Sequence, residues 1–185
     1  MTARRPLLEA LVAMLARDDV LVSSLGANSR YLPHLNVTAP VFALCDSMGA
    51  AIPLALGMAL QRPDRHVVAL EGDGSLLMCP NVLATVAAAR PSNLTALLWV
   101  NGHYESSGGQ ALPSAPVDWS ALAKGFGIAN VERVGDVPAL RAAFPRARAA
   151  KAPALLVVDV AFDPSEPIPP YSERPDAIRA RFRIA

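Results

Sequence analysis

Residues 67–75 read VVALEGDGS, an apolar run that ends in a polar, glycine-rich turn. The first four residues are uncharged and two of them are β-branched, which is typical of a strand buried on both faces of a parallel sheet. A helical pattern follows the turn and extends to residue 89. This strand–turn–helix unit indicates an α/β fold, in which ligands bind beyond the carboxyl ends of the strands.

The same alternation of strands and helices continues along the chain in both directions. Strands are predicted at residues 20–25, 41–44, 94–100, about 131–134 and 154–160, and helices at residues 6–16, 47–60, 75–89, 119–125 and 137–149. Continuous apolar strands separated by helices predict a three-layer α/β/α domain with a doubly wound, mainly parallel sheet of about six strands. Right-handed crossovers then place the carboxyl ends of the strands along one edge.

The length and composition predict one domain that carries an arm. The chain has 185 residues, within the usual range for a single domain, and shows no internal repeat or second core. Residues 1–162 are predicted to form a ligand-binding domain. Residues 163–185 contain five prolines and cannot continue the sheet. They are predicted to form an arm of the same domain, with a short helix near residues 176–182.

Composition and charge argue against several classes of partner and location. With 17 Lys and Arg against 16 Asp and Glu, the formal net charge is +1, whereas a nucleic-acid footprint requires clustered basic residues. No apolar stretch reaches the ~18–20 residues of a membrane span. Glu9 and Arg17 make the first apolar segment an amphipathic helix and not a signal peptide. Cys45 and Cys79 stand in apolar stretches, as expected of inert thiols in a reduced, cytoplasmic protein.

Polar loops follow four of the predicted strands, at residues 26–30, 45–49, 71–75 and 101–104. Each loop alone is compatible with an ordinary β-to-α turn, since Gly, Asn, Asp and Ser are common in turns. Four such loops at one edge of a sheet indicate a binding site.

Asp73 and Asn101 are candidate metal ligands at this edge. They stand 28 positions apart (101 − 73), an interval that holds one helix and one strand, so both emerge at the same edge if their strands are neighbours. Carboxylate and amide oxygens suit Mg²⁺, which shares its coordination with phosphate and water. Gly72 and Gly74 allow the backbone to approach a phosphate closely, and Ser75 begins a helix whose free N–H groups favour an anion.

These residues resemble the signature of thiamine diphosphate (ThDP)-dependent enzymes. Residues 72–78 (GDGSLLM) and 97–102 (LLWVNG) are similar to the family's Gly-Asp-Gly motif and to the Asn that follows it after roughly thirty residues. The resemblance implies ThDP and Mg²⁺ as cofactors, with the side chains of Asp73 and Asn101 and the backbone carbonyl of His103 as metal ligands. Val100 stands where the family often has Asn or Asp, but that position is not the ligand.

Residues 46–49 (DSMG) are similar to the family's Gly-Ser-Met-Gly loop. The resemblance implies that Met48 wedges between the two rings of the cofactor, and that the carbonyl of Asp46 and the N–H of Met48 bind the pyrimidine, with Ser47 between them. A core methionine is the alternative for Met48, and the Asp46 side chain either tunes the pyrimidine or points away. The turn with Asn28 and Ser29 matches the first diphosphate-side loop less specifically.

Residues 103–110 (HYESSGGQ) are similar to the Ser-Thr-Gly-Gly-Gln stretch of phosphonopyruvate decarboxylases, and more loosely to sulfopyruvate decarboxylases. This resemblance implies decarboxylation of a small 2-oxo acid with an anionic tail, with the cofactor as electron sink. Tyr104 is assigned to the cofactor-binding residues. His103 is either a proton shuttle or a residue of which only the carbonyl matters.

The resemblance covers residues 5–160 and only the diphosphate-binding domain. ThDP sites form between two domains, and the other domain supplies a glutamate that protonates the pyrimidine. A separate pyrimidine-side subunit is therefore expected, in a hetero-oligomer with two copies of each chain or a multiple. The apolar helix at residues 48–60 and, with less support, the tail after Asp163 are the surfaces expected to meet it.

Two other functions remain open at this point. One is a carboligase subunit similar to acetolactate synthase, which shares the metal and Met loops but has a different substrate loop. The other is a non-catalytic, ThDP-binding regulatory subunit. A nucleotide-binding Rossmann domain is disfavoured, because no Gly-x-Gly-x-x-Gly follows the first strand.

Overall fold

A six-stranded parallel sheet forms the centre of the protein, seen in a computed structural model that describes residues 1–113 and 116–182. The strands are β1 (Val20–Ser23), β2 (Val41–Ala43), β3 (Val67–Gly72), β4 (Leu94–Val100), β5 (His103–Tyr104), β6 (Gln110–Ala111), β7 (Asn130–Val134) and β8 (Ala154–Asp159). The order in the main sheet is β2-β1-β3-β4-β8-β7, and every pairing in it is parallel. Strands β5 and β6 form a separate antiparallel hairpin.

Helices cover both faces of the sheet. They are α1 (Arg4–Met14), α2 (Ala27–Tyr31), α3 (Ala51–Gln61), α4 (Asp73–Leu76), α5 (Val82–Ala89), α6 (Trp119–Gly125), α7 (Val137–Ala149) and α8 (Pro175–Arg181). One core cluster joins the sheet to α1 and α7, and a second joins it to α3, α5 and α6. The predicted three-layer α/β/α fold is therefore confirmed. Within the described parts of the chain, no helix is both long and apolar enough to cross a membrane.

Strand β3 shows why the sequences of the strands are continuous apolar runs. Val68 and Leu70 belong to the core cluster on the α1 and α7 face, whereas Val67 and Ala69 belong to the cluster on the α3 and α5 face. All four side chains are fully buried. A strand covered on both faces has no solvent-facing position, so it shows no polar–apolar alternation.

Four details differ from the sequence-based expectation. The helix predicted at residues 75–89 is two helices, α4 and α5, separated around Pro80, which has no N–H and whose ring obstructs the preceding turn. Helix α3 begins at Ala51, four residues later than predicted, because Ser47 (φ 65°) and Gly49 (φ 79°) have left-handed backbone. Helix α2 was expected to be a turn, and the β5–β6 hairpin was not predicted.

The proline-rich arm lies against its own domain. The Arg30 guanidinium donates to backbone carbonyls of the arm and lies 5.4 Å from the centre of the Tyr171 ring. The Tyr31 hydroxyl donates to the Glu166 carboxylate at 2.9 Å, and the N–H of Gly26 donates to the Tyr171 hydroxyl at 3.0 Å. The arm therefore contacts the loop and helix that follow β1, at the polar edge of the sheet.

Candidate functional site

A cavity of about 360 Å³ lies at the carboxyl edge of the sheet, where the loops after β1, β2, β3 and β4 meet. Strand order reverses between β1 and β3, the position at which open α/β sheets bind ligands. The predicted site residues that line the cavity are Asn28, Asp46, Ser47, Met48, Gly72, Asp73, Gly74, Ser75, Asn101, His103 and Tyr104. Ser29 does not line it, because its buried hydroxyl donates to the backbone carbonyl of Ser24.

Neighbouring strands bring Asp73 and Asn101 to the same cavity. Strands β3 and β4 are paired, with Gly72 opposite Trp99, so the two strands end side by side. Asp73 follows β3 as the first residue of α4, and Asn101 follows β4 directly. The sequence spacing had predicted this juxtaposition from one intervening helix and strand.

Backbone N–H groups hold both candidate ligands in place. The two carboxylate oxygens of Asp73 accept from Gly74 at 2.8 Å and from Gly102 at 2.7 Å. The side-chain oxygen of Asn101 accepts from the N–H of His103 at 2.9 Å. Asp73 is only 2% exposed, and burial raises the pKa of its carboxyl while the N–H groups oppose the rise. A cation in the cavity would therefore stabilise the charged form of Asp73.

The lining fits a diphosphate with a hard cation. A Cβ added to Gly74 would lie 2.6 Å from the Tyr104 ring, so the turn accepts only glycine beside this ring. Within the described residues, the buried indole N–H of Trp99, a lining residue, has no hydrogen-bond partner. No group of three His, Cys, Asp or Glu side chains in that same part of the chain could hold a metal ion. One carboxylate and one amide suit Mg²⁺ when phosphate oxygens complete its coordination.

The Met48 loop, defined here as residues 45–50, forms another wall of the cavity. Met48 is 37% exposed and belongs to neither core cluster. The exposed Ser47 hydroxyl donates to the Asp46 carboxylate at 3.0 Å, so the acidic side chain lies at the rim. The loop therefore presents an apolar side chain to the cavity and a charged one beside the opening.

The His103 ring is fixed by its neighbours. It stacks on the Phe162 ring with centres 3.8 Å apart, and its Nδ1 lies 2.8 Å from the backbone carbonyl of Asn101. Both contacts orient the imidazole at the edge of the cavity.

Residues 27–158 match the family described as thiamine pyrophosphate enzyme, C-terminal TPP binding domain. The chain belongs to this family. Thiamine pyrophosphate is ThDP, so the resemblance predicted from residues 72–78 and 97–102 is confirmed.

Named relatives of this TPP-binding domain include decarboxylases. It is 40% identical over 149 residues to the phosphonopyruvate decarboxylase of Streptomyces viridochromogenes, a match that covers 80% of this chain and 37% of the relative. It is 38% identical over 119 residues to sulfopyruvate decarboxylase subunit beta of Methanothermobacter thermautotrophicus, which covers 64% of this chain and 63% of the relative. The chain thus spans less than two thirds of the length of either relative.

A solved structure shares the fold of the TPP-binding domain. The 2-oxoglutarate:ferredoxin oxidoreductase from Magnetococcus marinus superimposes with a TM-score of 0.72, over 95% of this chain and 66% of that chain. The two are 18% identical, so the likeness shows the fold alone.

A buried ion pair in the TPP-binding domain was missed by sequence reasoning. Arg4 is 3% exposed and lines the cavity, where its guanidinium donates to both oxygens of Glu105, at 2.5 and 2.6 Å, and to the Asn28 side chain at 3.1 Å. Burial raises the pKa of Glu105, whereas the positive charge of Arg4 opposes that rise. The partners are 101 residues apart, and no local pattern signals such a pairing.

Proposed function

We propose that this chain is the ThDP- and Mg²⁺-binding, diphosphate-side part of a decarboxylase for a small 2-oxo acid with an anionic tail. The main support is one cavity that unites Asp73, Asn101 and Met48 in a chain similar to phosphonopyruvate and sulfopyruvate decarboxylases. The substrate class follows from those relatives and from the loop at residues 103–110.

The metal-binding turn, defined as residues 71–75, and Asn101 would hold the Mg²⁺ and the diphosphate. The side chains of Asp73 and Asn101 and the backbone carbonyl of His103 are the proposed metal ligands. Gly72, Gly74 and Ser75 would contact the diphosphate together with Asn28 of α2, whereas Ser29 does not line the cavity. The stacked His103 ring favours the interpretation in which only its carbonyl serves the site.

The Met48 loop and Tyr104 would orient the cofactor rings. ThDP, when bound, supplies an electron sink for the loss of CO₂ from a 2-oxo acid. The partly exposed Met48 side chain would support the bent form of the cofactor, with the carbonyl of Asp46, Ser47 and the N–H of Met48 beside the pyrimidine. The Tyr104 ring, packed on Gly74, would close the diphosphate end of the cavity and exclude water.

A second polypeptide or domain would supply the glutamate that protonates the pyrimidine. Glu105 is engaged by Arg4, and Asp46 lies at the rim, so neither is the proposed acid. The relative from Methanothermobacter thermautotrophicus is named as a subunit beta, which supports a hetero-oligomer. Two copies of each chain, or a multiple, is the proposed stoichiometry.

The test is CO₂ release by a reconstituted complex. The chain is tagged and purified in two forms, as a complex with the protein that accompanies it and as the isolated chain. Both forms are assayed with ThDP and Mg²⁺ on phosphonopyruvate, sulfopyruvate, pyruvate and 2-oxoglutarate. We expect the complex to prefer an acid with a phosphonate or sulfonate tail and the isolated chain to be inactive. Acetolactate formation from pyruvate would instead indicate a carboligase, and ThDP binding without turnover would indicate a regulatory subunit.

A further inference from the structure

Glu71 is a buried carboxylate that none of the roles above uses. It is the residue before the Gly-Asp-Gly motif, near the end of β3, and it is fully buried. Its two oxygens accept from the N–H groups of Ala51 and Gly72, each at 3.2 Å, and its carboxylate lies beside the Ser75 hydroxyl. Burial of a carboxylate is energetically costly, so the presence of one at this position calls for a role.

Hydrogen bonds connect Glu71 to the Met48 loop. The N–H of Gly49 donates to the Ser75 hydroxyl oxygen at 2.8 Å, and that hydroxyl lies beside the Glu71 carboxylate. The N–H of Ala51, at the start of α3, donates to Glu71 directly. The N–H groups of Gly49 and Ala51, just after Met48, are therefore both hydrogen-bonded to residues of the metal-binding turn.

The Met48 loop depends on such outside contacts. Ser47 has a φ of 65°, a conformation that L side chains rarely adopt, so the loop is held against its local preference. Met48 itself is 37% exposed, and its side chain contributes little packing that could fix the loop. Gly49 fits against Cys79, where a Cβ would approach to 2.9 Å.

We propose that Glu71 is a positioning residue that fixes the Met48 loop relative to the metal-binding turn, and so holds Met48 against the cofactor. The catalytic part of this inference rests on the proposed function, whereas the structural part concerns the loop alone. Loss of Glu71 would release Met48 while leaving the Asp73 and Asn101 side chains in place.

Hydrogen exchange in the isolated chain, without cofactor, tests the structural part. In Glu71→Ala the amides of residues 49–51 should exchange roughly tenfold faster, the change expected for the loss of about one hydrogen bond, while those of β4 stay protected. Glu71→Gln retains an oxygen for the N–H of Ala51 and should give an intermediate exchange rate. If the alanine variant folds poorly, the comparison is made with Glu71→Gln instead. Unchanged exchange at residues 49–51 in both variants would overturn the proposal, whatever the chain's activity.

Kinetics of the complex test the catalytic part. Glu71→Ala should lower kcat at least about tenfold and change ThDP affinity less than about threefold, because the metal ligands remain. Met48→Ala should show the same pattern, and the double variant should lose little more than either single one, since both act through one side chain. Additive losses in the double variant would refute action through Met48.

A matched control distinguishes this role of Glu71 from a general effect of removing a carboxylate from the sheet. Glu132 in β7 is partly exposed and pairs with Arg146, and neither residue lines the cavity. Glu132→Gln should change neither exchange at residues 49–51 nor kcat. If the wild-type complex shows no decarboxylation, the proposed function fails, while the exchange experiment still decides whether Glu71 holds the loop.

Discussion

Arg4 occupies the first turn of a helix, where the positive end of the helix dipole disfavours a cation. Its side chain is 4% exposed and is paired with Glu105, which is 11% exposed. Arg4→Ala leaves that carboxylate buried without its cation, so we expect the free energy of unfolding to fall by about 3–5 kcal/mol. Urea unfolding followed by circular dichroism measures the change.

Arg5 is the matched control for this pair. It is the next residue, its side chain is 66% exposed, and it pairs with Glu9 one turn away. Arg5→Ala should alter the free energy of unfolding by less than ~0.5 kcal/mol. Equal effects of the two substitutions would show that the Arg4–Glu105 pair adds no stability beyond that of a surface pair.

Asp73 contributes the charge of the candidate metal pair. Asp73→Asn keeps the size of the side chain and one oxygen but removes that charge. ThDP affinity in the presence of Mg²⁺ should fall at least about tenfold, because a lost charge-assisted contact costs ~1.5–3 kcal/mol. Trp99 lines the cavity and Trp119 lies in a core cluster, so a fluorescence titration follows Trp99 over a constant background.

Two further variants make this titration specific. Trp99→Phe should remove the fluorescence change without abolishing binding measured by calorimetry. Asp176→Asn, on the exposed face of α8, should leave ThDP affinity unchanged. If Asp73→Asn bound ThDP with wild-type affinity, the assignment of Asp73 as a metal ligand would be wrong.

At the scale of elements, His66 couples β3 to its neighbours at the end of the sheet opposite the cavity. Its Nε2 lies 3.0 Å from the Thr95 hydroxyl of β4, and its ring contacts Phe144 of α7 edge-on. Burial lowers the pKa of His66 to about 4, with Arg148 adding to the drop and Asp19 opposing it. The folded state therefore favours the neutral imidazole.

Acid should weaken this contact between elements. The unfolded chain binds a proton at His66 near its ordinary pKa of 6.5 and the folded chain does so only near 4, so stability falls as the pH drops through this window. We expect protonation at His66 to lower the wild type's free energy of unfolding by about 2 kcal/mol between pH 7.5 and 5. The His66→Gln variant should not show this loss. Unfolding at both pH values measures it, with the exposed His34→Gln as control.

The elements were predictable where one local pattern decides them. Strand β4 and helices α6 and α7 have the predicted bounds, because their apolar periodicity and flanking breakers agree. The predicted helix at residues 75–89 was wrong because the break at Pro80 competes with a strong helical pattern on both sides. Helix α2 was missed because its polar, five-residue sequence has too little periodicity to separate it from a turn.

Prediction of the site depended on whether its residues stand in motifs. Eleven of the twelve predicted residues line one cavity, since the parallel topology collects all strand ends at one edge. Ser29 was the exception, because the sequence does not show which way a side chain of α2 faces. Arg4 was missed because its contacts are made by tertiary packing and by no local motif. The roles of all these residues remain predictions.

At the scale of the whole molecule, α3 is a helix without charged residues that begins beside the cavity, where we propose that a partner chain binds. Its sequence is AIPLALGMALQ, and Leu60 near its end is 51% exposed. Helix α3 follows the Met48 loop, so a chain that covers the cavity would reach it. Leu60→Glu should weaken assembly with the proposed partner chain at least about tenfold, because burying an unpaired charge is costly. Analytical ultracentrifugation of the mixed chains measures this.

An equivalent change on the opposite face provides the control. Ala142 of α7 is exposed on the other side of the sheet, and Ala142→Glu should leave assembly unaffected. Both variants should retain ThDP affinity in the isolated chain. Normal assembly of Leu60→Glu would exclude the end of α3 from the interface.

The position of β8 between β4 and β7 determines when the protein can fold during synthesis. Thr95 pairs with Ala154, so one side of β4 stays open until the ribosome has released the last strand of the sheet. Until then, a nascent chain exposes an apolar strand edge that can pair with another chain. We therefore expect a chain truncated before residue 154 to aggregate.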